Sequence, residues 1–481
     1  MPCPTTTRVA MKKKLLKKTA VKKKAKKKTP AVKKPGRTSS PRKGVTTMKV
    51  RSLRAYKDQK LYGNVMRSIN PFTEETLHEL PHMSRAEVSA IVAKTRLAFS
   101  HWKNVPVSER TALLKKLAEV LRAEKRNYAT LITQEMGKPI KDAMAEVEKC
   151  AVLADYFSEN AAKFLEPEVV ATEARKSYVA FEPLGIVLAI EPWNFPFWQV
   201  FRVAVPGLVA GNAVLLKHAA NVPMTALAIE DAIRKAGFPE NLFKTLLIPP
   251  DDAMKLIDDD LVDAVSLTGS NRAGEEVGSR AGRRIKSLVL ELGGSDPFIV
   301  LDDADVAKAG RTAAQARVIN AGQSCIASKR FIVMEKVADE FTKHFIARLR
   351  ELKVGDPMDE TTDIGPLARQ DILDGLKTQL KDAKAKGAEV IELTHDRKKG
   401  YFMAPAVVLK PTENMKVLTE EVFGPIAPII VVKDEDEAVR IANDTEYGLG
   451  ASIWSKNIDR AERIARRIDA GSIAINDFVK S

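Results

Sequence analysis

The sequence predicts an α/β protein with two α/β domains in succession. Short apolar runs alternate with helical segments between residues 185 and 291, and a second series of the same kind runs from Phe298 to about Ala470. A wholly helical stretch precedes both. Strand–helix alternation implies parallel strands joined by crossover helices, so each sheet is covered on both faces. No internal repeat divides the chain.

The elements follow in order. Residues 1–50 carry Lys12–Lys18 and Lys22–Lys28 with Pro, Ser and Thr between them. Such a stretch cannot bury a core and is expected to be a disordered Lys-rich tail. From Ser84 the pattern turns helical: Ser84 with Glu87 fits a capping box, and Ala90, Val92 and Leu97 recur at helical spacing. Two long helices are expected over about Val107–Glu135 and Lys141–Phe164. Glu168–Phe181 is richer in β-branched residues and reads as one or two strands. The apolar runs Gly185–Ile190, Ala213–Leu216, Phe243–Ile248, Val262–Leu267 and Ser287–Leu290 read as strands. Helices are expected to begin near Phe197, Met224, Ala253 and Asn271. Strands at Arg330–Met334, Glu389–Glu392 and Pro428–Val432 belong to the second series.

Composition narrows the function classes. The chain has 481 residues, 45% of them hydrophobic, enough for a large core. Its net charge of +16 is unevenly placed. Residues 1–50 hold 18 of the 78 Lys and Arg and none of the 62 acidic residues, which leaves 60 basic against 62 acidic, or −2, elsewhere. Nucleic-acid binding through phosphate neutralisation is therefore an expectation for the tail alone. Cys3, Cys150 and Cys325 are too few and too scattered for a disulfide framework and fit a reducing compartment. The six histidines show no metal-ligand spacing, so no metal is expected. No apolar run approaches the roughly 20 residues that span a bilayer, and the N-terminus lacks a secretory apolar region. A cytoplasmic protein without a membrane partner is expected.

Four short segments could carry chemistry. Val265-Ser266-Leu267-Thr268-Gly269-Ser270 ends a strand before a helix, where Gly269 and Ser270 would let backbone amides approach a phosphate. Glu275-Glu276 stands where a P-loop needs Lys-Ser/Thr, which argues against ATP. An empty strand–helix turn explains the segment equally well. Glu291, at the end of Leu290-Glu291-Leu292-Gly293-Gly294, would be partly desolvated and raised toward a useful base; a glutamate satisfied by turn amides is the plainer reading. Cys325 follows Gly322-Gln323-Ser324, a flexible approach that would place a thiol over a pocket, where a helix field or a base could make it a thiolate. Read alone, an inert buried cysteine is the commoner outcome. Glu191-Pro192-Trp193-Asn194-Phe195-Pro196-Phe197 forms a proline-stiffened loop that either aims the Asn194 amide at a developing oxyanion or is only an aromatic turn.

In combination, Pro192-Trp193-Asn194-Phe195-Pro196, Lys217, Thr268-Gly269-Ser270, Glu291-Leu292-Gly293-Gly294, Gly322-Gln323-Ser324-Cys325 and Glu420-Glu421-Val422-Phe423-Gly424-Pro425 resemble the aldehyde dehydrogenase superfamily, from about Ser68 to the end of the chain. Trp198-Gln199-Val200-Phe201-Arg202, Lys217-His218-Ala219-Ala220-Asn221-Val222-Pro223 and Ile475-Asn476-Asp477-Phe478-Val479-Lys480-Ser481 are most similar to bacterial NAD(P)-dependent succinate-semialdehyde dehydrogenases. The resemblance implies a Rossmann-type cofactor domain (66–166 and 182–291), oligomerisation strands (167–181) and an α/β catalytic domain (292–481). It implies Cys325 as nucleophile, Glu291 as the base that activates water, and Asn194 with the Cys325 amide as oxyanion donors. For NAD or NADP it implies Trp193 and Asn194 near the nicotinamide and Lys217 at the adenine ribose. Gly269 and Ser270 take the pyrophosphate, Glu421 the nicotinamide ribose, with Phe423 packed nearby and Leu292 lining the same site. Ala220 stands where NAD-selective members carry a glutamate, so NADP should be tolerated, with Lys217 or His218 pairing its 2′-phosphate.

Arg202 corresponds to an arginine that holds the distal carboxylate of a semialdehyde. Animal relatives add a second arginine where Ile319 stands, so broader specificity toward aliphatic or aromatic aldehydes is the alternative. Ala327 replaces a redox-switch cysteine of some relatives, so no such disulfide is expected. The family pattern continues past Asn476-Asp477-Phe478 with a Gly-rich loop and an inter-subunit strand. A chain ending at Ser481 is expected to have an incomplete pocket wall and an unpaired oligomer edge. An inactive relative acting through its basic tail is the reading from a different functional class.

Overall fold

The computed structural model describes residues 65–480, and the Lys-rich tail at residues 1–50 lies outside them. It opens with a hairpin that no alternation in the sequence announced, β1 (Val65–Ile69) with β2 (Thr76–Pro81). No residue of β2 is buried, so an apolar face was not needed to mark it. Four helices follow: α1 (Arg85–Trp102), α2 (Val107–Ala123), α3 (Lys125–Met136) and α4 (Ile140–Phe164). The Ser84–Glu87 capping box is complete, with the Ser84 side chain accepting from the Glu87 amide and the Glu87 side chain accepting from the Ser84 amide. The single helix expected over Val107–Glu135 breaks at Glu124, whose φ of −101° and ψ of 11° leave the helical region. Neither Gly nor Pro marks that break.

The region expected to hold one or two strands forms a minimal antiparallel pair, β3 (Glu168–Val169) and β4 (Tyr178–Val179). Beyond it the strand–helix series runs β5 (Ile186–Glu191), α5 (Pro196–Val209), β6 (Ala213–His218), α6 (Pro223–Lys235) and β7 (Phe243–Thr245). It continues with α7 (Pro250–Ile257), β8 (Ala264–Thr268), α8 (Asn271–Arg283) and β9 (Ser287–Glu291). These strands form a five-stranded sheet in the order β7-β6-β5-β8-β9, parallel throughout. Order reverses beside β5, so the crevice at the C-terminal ends of β5 and β8 is the place where such sheets bind ligands.

The second series comprises β10 (Asp296–Val300), α9 (Val306–Val318), β11 (Ser328–Met334), α10 (Glu335–Arg350), α11 (Gln370–Ala385) and β12 (Glu389–Glu392). It ends with β13 (Ala406–Leu409), α12 (Lys416–Thr419), β14 (Ile426–Val432), α13 (Glu435–Asn443), β15 (Gly450–Trp454), α14 (Ile458–Ala465) and β16 (Ser472–Ile475). The seven strands lie in the order β12-β13-β14-β11-β10-β15-β16, parallel except for β12 on β13. Strands β13, β15 and β16 were not anticipated: they are four or five residues long and follow loops without a distinctive turn signal. Each sheet has its own apolar core. Leu188, Val214 and Leu215 are fully buried in the first, and Phe298, Phe331 and Phe341 in the second. Two rigid sheets therefore supply the strand ends on which the site is built.

Candidate active site

Strand register collects the first group of side chains. Glu191 pairs with His218 across β5 and β6, and Thr268 pairs with Glu291 across β8 and β9. Since Ile190 pairs with Leu267, Glu191 and Thr268 are the next residues along the same two strands. The row ends at the crevice.

The loop after Glu191 is held from behind by α4. The Glu146 carboxylate accepts from the amides of Phe197 (2.9 Å) and Trp198 (3.0 Å), satisfying the first turn of α5. It is ion-paired with buried Lys138, whose ammonium lies 3.9 Å from the Phe195 ring centroid. This clamp fixes Asn194, which is buried and donates through Nδ2 to the Gln323 carbonyl at 3.1 Å. An amide NH2 carries two hydrogens, so a second donor remains on that nitrogen.

Cys325 sits at the end of a strained arch. Asn320, Ala321 and Gly322 are successively left-handed, with φ of 52°, 55° and 81°. Two of them are not glycine, which costs roughly 1 kcal/mol or more at each. The surroundings over-determine the shape. Asn320 Nδ2 donates to the Asn194 carbonyl (2.7 Å), and Gln323 Oε1 accepts from the Ala368 amide (2.9 Å). Arg317 donates to the carbonyls of Ser328 (2.8 Å), Gly322 (3.0 Å), Val422 (3.1 Å) and Gly424. Burial without an ion-paired carboxylate brings the Arg317 guanidinium down to about 9. The approach read as flexible is thus rigid and buried, because this arch needs its polar groups inside to hold its dihedral angles.

The thiol itself is half-buried. Burial pushes it up, Lys329 opposes that, and Glu421 and Asp296 add to it. Desolvation of the anion is the largest of these effects, opposed by Lys329 and the Ile326 amide. Gly294 is the reason the two halves can meet. A Cβ there would lie 2.3 Å from the Cys325 carbonyl oxygen, and one on Gly293 would lie 2.6 Å from a Glu421 oxygen. The pair of glycines after Glu291 lets β9 run directly against the cysteine and Glu421.

Glu291 is half-buried, in line with the partial desolvation its apolar run suggested. Its side chain is 38% exposed and pairs with Arg202 (3.3 Å), which also donates to Gln199 Oε1 (3.0 Å). β9 is the edge strand of its sheet and none of its residues is buried, so the carboxylate keeps contact with solvent. Beside this pair, Glu191 is buried, and burial lifts it well above the usual carboxylate range against the opposing effects of Thr268 and Arg202.

Trp193, Lys217, Ser270 and Leu292 lie at or just beyond the C-terminal ends of β5, β6, β8 and β9, and Glu421 and Phe423 lie in the loop before β14. Trp193 and Phe423 meet edge to face at 5.7 Å. Glu421 accepts from the Gly294 amide (3.2 Å) and from Lys329 (3.0 Å). Ser270 caps α8 by accepting from the Ala273 amide (3.3 Å), and Leu292 packs over Gly274, where a Cβ would lie 2.7 Å from its side chain. The Gly269 amide is already taken, donating to the Glu291 carbonyl at 2.9 Å, so it is not a free phosphate donor. Lys217 is 8% exposed and, among the described residues, has no carboxylate within ion-pair distance. Burial brings it down to about 8. Ala220 follows it at the end of β6 and brings no charge. His218 cannot serve a phosphate. Its Nδ1 accepts from the Ala219 amide (2.9 Å), its Nε2 lies 3.0 Å from the Pro196 carbonyl, and burial lowers it to about 4, which keeps the ring neutral.

Sequence reasoning missed Glu146, Arg317, Asn320, Gln323 and Lys329. One signal was available: Ala309, Ala313 and Arg317 share one stripe of α9, so Arg317 falls on the buried side. Lys329 and Arg330, a basic pair at the head of an apolar run, gave no hint that both side chains are buried.

The chain matches the model of the aldehyde dehydrogenase family over residues 57–481. It is 44% identical over 421 residues to a probable succinate-semialdehyde dehydrogenase [NADP(+)] of Synechocystis, covering 86% of this chain and 91% of that protein. It is 41% identical over 410 residues to the succinate-semialdehyde dehydrogenase [NADP(+)] of Deinococcus radiodurans, covering 85% and 86%. The crystal structure of succinic semialdehyde dehydrogenase from Streptococcus pyogenes in complex with NADP+ superposes with a TM-score of 0.84 at 35% identity, covering 86% of this chain and 92% of that one. With the model matched from residue 57 to the last residue and relatives above 40% identity over most of their length, the chain belongs to the aldehyde dehydrogenase family.

Proposed function

We propose that this protein oxidises succinate semialdehyde to succinate with NADP+, NAD+ being the weaker alternative. Membership of the family and the named relatives make it an NAD(P)-dependent oxidoreductase acting on aldehydes. The observation that carries the finer reading is that the Asn194 amide is tied to the Cys325 arch while Arg202 pairs with Glu291, shortly before the glycine that abuts the Cys325 carbonyl. Residues 66–166 and 182–291 are read as the cofactor-binding part and 292–481 as the catalytic part.

The chemistry follows from the groups present. Cys325 Sγ attacks the aldehyde carbon, and because the resting group is a thiol its proton must pass to a base, for which Glu291 is the exposed carboxylate in the same crevice. The carbonyl oxygen, now an alkoxide, is received by the second Asn194 N–H and the Cys325 amide. A dinucleotide held in this site would accept the hydride lost from the adduct carbon, which then stands at the oxidation level of a thioester on Cys325. Once the thiol proton has passed from Glu291 to solvent, the carboxylate takes a proton from water as the hydroxide adds to the thioester carbonyl. Collapse of that adduct expels the Cys325 thiolate and releases the acid. The crevice fits such a dinucleotide: α8 presents its N-terminus beside Ser270, the Trp193–Phe423 pair offers an aromatic wall, and Glu421 sits on Gly293-Gly294 within reach of a ribose.

Selection of NADP is read from Lys217. A buried ammonium without a carboxylate, beside Ala220 rather than an acid, is complementary to a 2′-phosphate. With its pKa brought down to about 8, Lys217 is cationic at pH 7 and increasingly neutral at pH 9. The dissociation constant of NADP+ should therefore rise by up to about tenfold per unit above pH 8, while that of NAD+ stays flat. Calorimetric titration of both dinucleotides from pH 6.5 to 9.5 checks this, and parallel profiles would remove Lys217 from the 2′-phosphate.

The defining assay is absorbance of the reduced dinucleotide with succinate semialdehyde against hexanal and benzaldehyde. Arg202→Ala should raise KM for the semialdehyde by about 10- to 100-fold, the worth of one charge-assisted contact, with little change in KM for hexanal. Equal effects on both substrates would favour the broad-specificity reading, in which Arg202 serves only Glu291.

Three further readings concern surroundings. The exposed apolar hairpin, with Val169 84% and Tyr178 51% accessible, supports a homo-oligomer. The 18 positive charges of residues 1–50 support salt-sensitive nucleic-acid binding, testable by titration against salt. A cytoplasmic location rests on the scattered cysteines; among the described residues no helix is long and apolar enough to cross a membrane.

A further inference from the structure

The most constrained charge near Cys325 is one that the proposed chemistry does not use. Lys329 is the second residue of β11, four positions after the cysteine, and its side chain is 1% exposed. Its ammonium donates to the Cys325 carbonyl at 2.8 Å and to Glu421 Oε1 at 3.0 Å, and lies 5.9 Å from the Phe423 ring centroid. The same Glu421 oxygen accepts from the Gly294 amide at 3.2 Å. One nitrogen thus ties together the main chain of the cysteine, the glutamate expected at the cofactor and, through it, the glycines that follow Glu291.

A buried ammonium is costly unless its donors are used and a counter-charge is near. Here two of its three donors are satisfied by those two oxygens. The charged groups facing it are Glu421, Asp296 and Arg317. The neighbouring Arg330 is turned away, donating to the carbonyls of Ser295 (2.9 Å), Ile441 (2.6 Å) and Ala442 (2.8 Å). Burial, Glu421 and Asp296 disfavour the anion at the sulfur, whereas Lys329 and the Ile326 amide favour it, Lys329 being the one of the two that brings a full charge. Neutral donors would hold the carbonyl as well; what they would lack is the charge.

We propose that Lys329 is a positioning residue that pins the Cys325 main chain against Glu421 and supplies the positive charge on which the thiolate depends. This rests on the reading of Cys325 as the nucleophile and deepens it. Loss of the charge should show at the sulfur without any turnover.

The test is the pH dependence of Cys325 alkylation by iodoacetamide in the full chain without dinucleotide, read by peptide mass spectrometry so that Cys3 and Cys150 are scored apart. Lys329→Met and Lys329→Gln should raise the alkylation midpoint by roughly one pH unit or more, the size expected for removing an opposite charge at this range. Lys329→Arg should restore most of it, because it stays cationic. The glutamine variant keeps a hydrogen-bond donor and guards against a methionine variant that does not fold. A midpoint equal to the parent's in either folded neutral variant, by circular dichroism, would overturn the proposal. The nucleophile reading fails by a different result, retained turnover in Cys325→Ala, so the two failures are separable.

Discussion

Cys325→Ala should lose aldehyde-dependent reduction of NADP+ by at least about a thousandfold, the scale on which removal of a covalent nucleophile is felt. The change removes one sulfur from a half-buried position. The arch that presents it is held by contacts the substitution leaves alone: Asn320 to the Asn194 carbonyl, Gln323 to the Ala368 amide, and the four carbonyls gathered by Arg317. The thermal midpoint and the dissociation constant of NADP+ should therefore match the parent's. Cys325→Ser separates attack from packing, since it retains a polar atom of similar size but gives a far weaker nucleophile, and it should be nearly as inactive. The measurement is absorbance of the reduced dinucleotide under saturating semialdehyde, with binding followed calorimetrically. Turnover of Cys325→Ala within tenfold of the parent would mean that hydride leaves an unattached aldehyde hydrate, and the covalent route would be wrong.

How much of this was legible in the residues depends on what each contact is made of. Strand–helix alternation put β5, β6, β8 and β9 within a residue or two of where they lie; β5, β6 and β8 are buried parallel strands and so read as continuous apolar runs, while β9 is an apolar but exposed edge strand. The Glu291-Leu292-Gly293-Gly294 and Gly322-Gln323-Ser324-Cys325 segments were readable as a combination, although neither spacing alone ruled out an inert turn. What composition could not convey was the use of main-chain carbonyls as partners. Arg317, Lys329 and Arg330 bury their charges against backbone oxygens of residues up to about a hundred positions away, and no pairing of side-chain types in the sequence records that. The same blindness produced the errors. His218 looked like a phosphate ligand until the Ala219 amide and the Pro196 carbonyl occupied its ring, and the Gly269 amide looked free until the Glu291 carbonyl took it. The Gly322-Gln323-Ser324 approach was read as flexible because polar, small residues before a cysteine suggest a mobile loop, whereas it closes a left-handed turn at Asn320 and Ala321. Here Asn320 and Gln323 are internal struts.

Glu291→Gln separates the two halves of the reaction, and its signature is a burst. Thiol addition and hydride loss need a proton acceptor once per turnover, whereas hydrolysis of the thioester requires water to be deprotonated as it attacks, with no thiolate to substitute for it. Removing the base should cut steady-state turnover by about 10²- to 10⁴-fold, the usual contribution of a positioned general base. If addition can borrow another acceptor, rapid mixing should show reduced dinucleotide forming in a burst approaching one equivalent per active site. A slow phase should follow, with the acyl group found on Cys325 by mass spectrometry. Glutamine preserves the shape at the end of β9 and can still accept from Arg202, which the parent holds at 3.3 Å, so loss of folding is not expected to mimic the kinetic result. Arg202 sharpens the test. If its guanidinium acts only by orienting this carboxylate, Arg202→Ala in the Glu291→Gln background should change nothing further. If it also holds a distal carboxylate, the double variant should lose a further 10- to 100-fold in KM for succinate semialdehyde and not for hexanal. A Glu291→Gln enzyme that turns over normally without a burst would assign the hydrolytic base elsewhere. Glu191, buried and lifted toward the neutral acid in the adjoining row, is then the next carboxyl to replace.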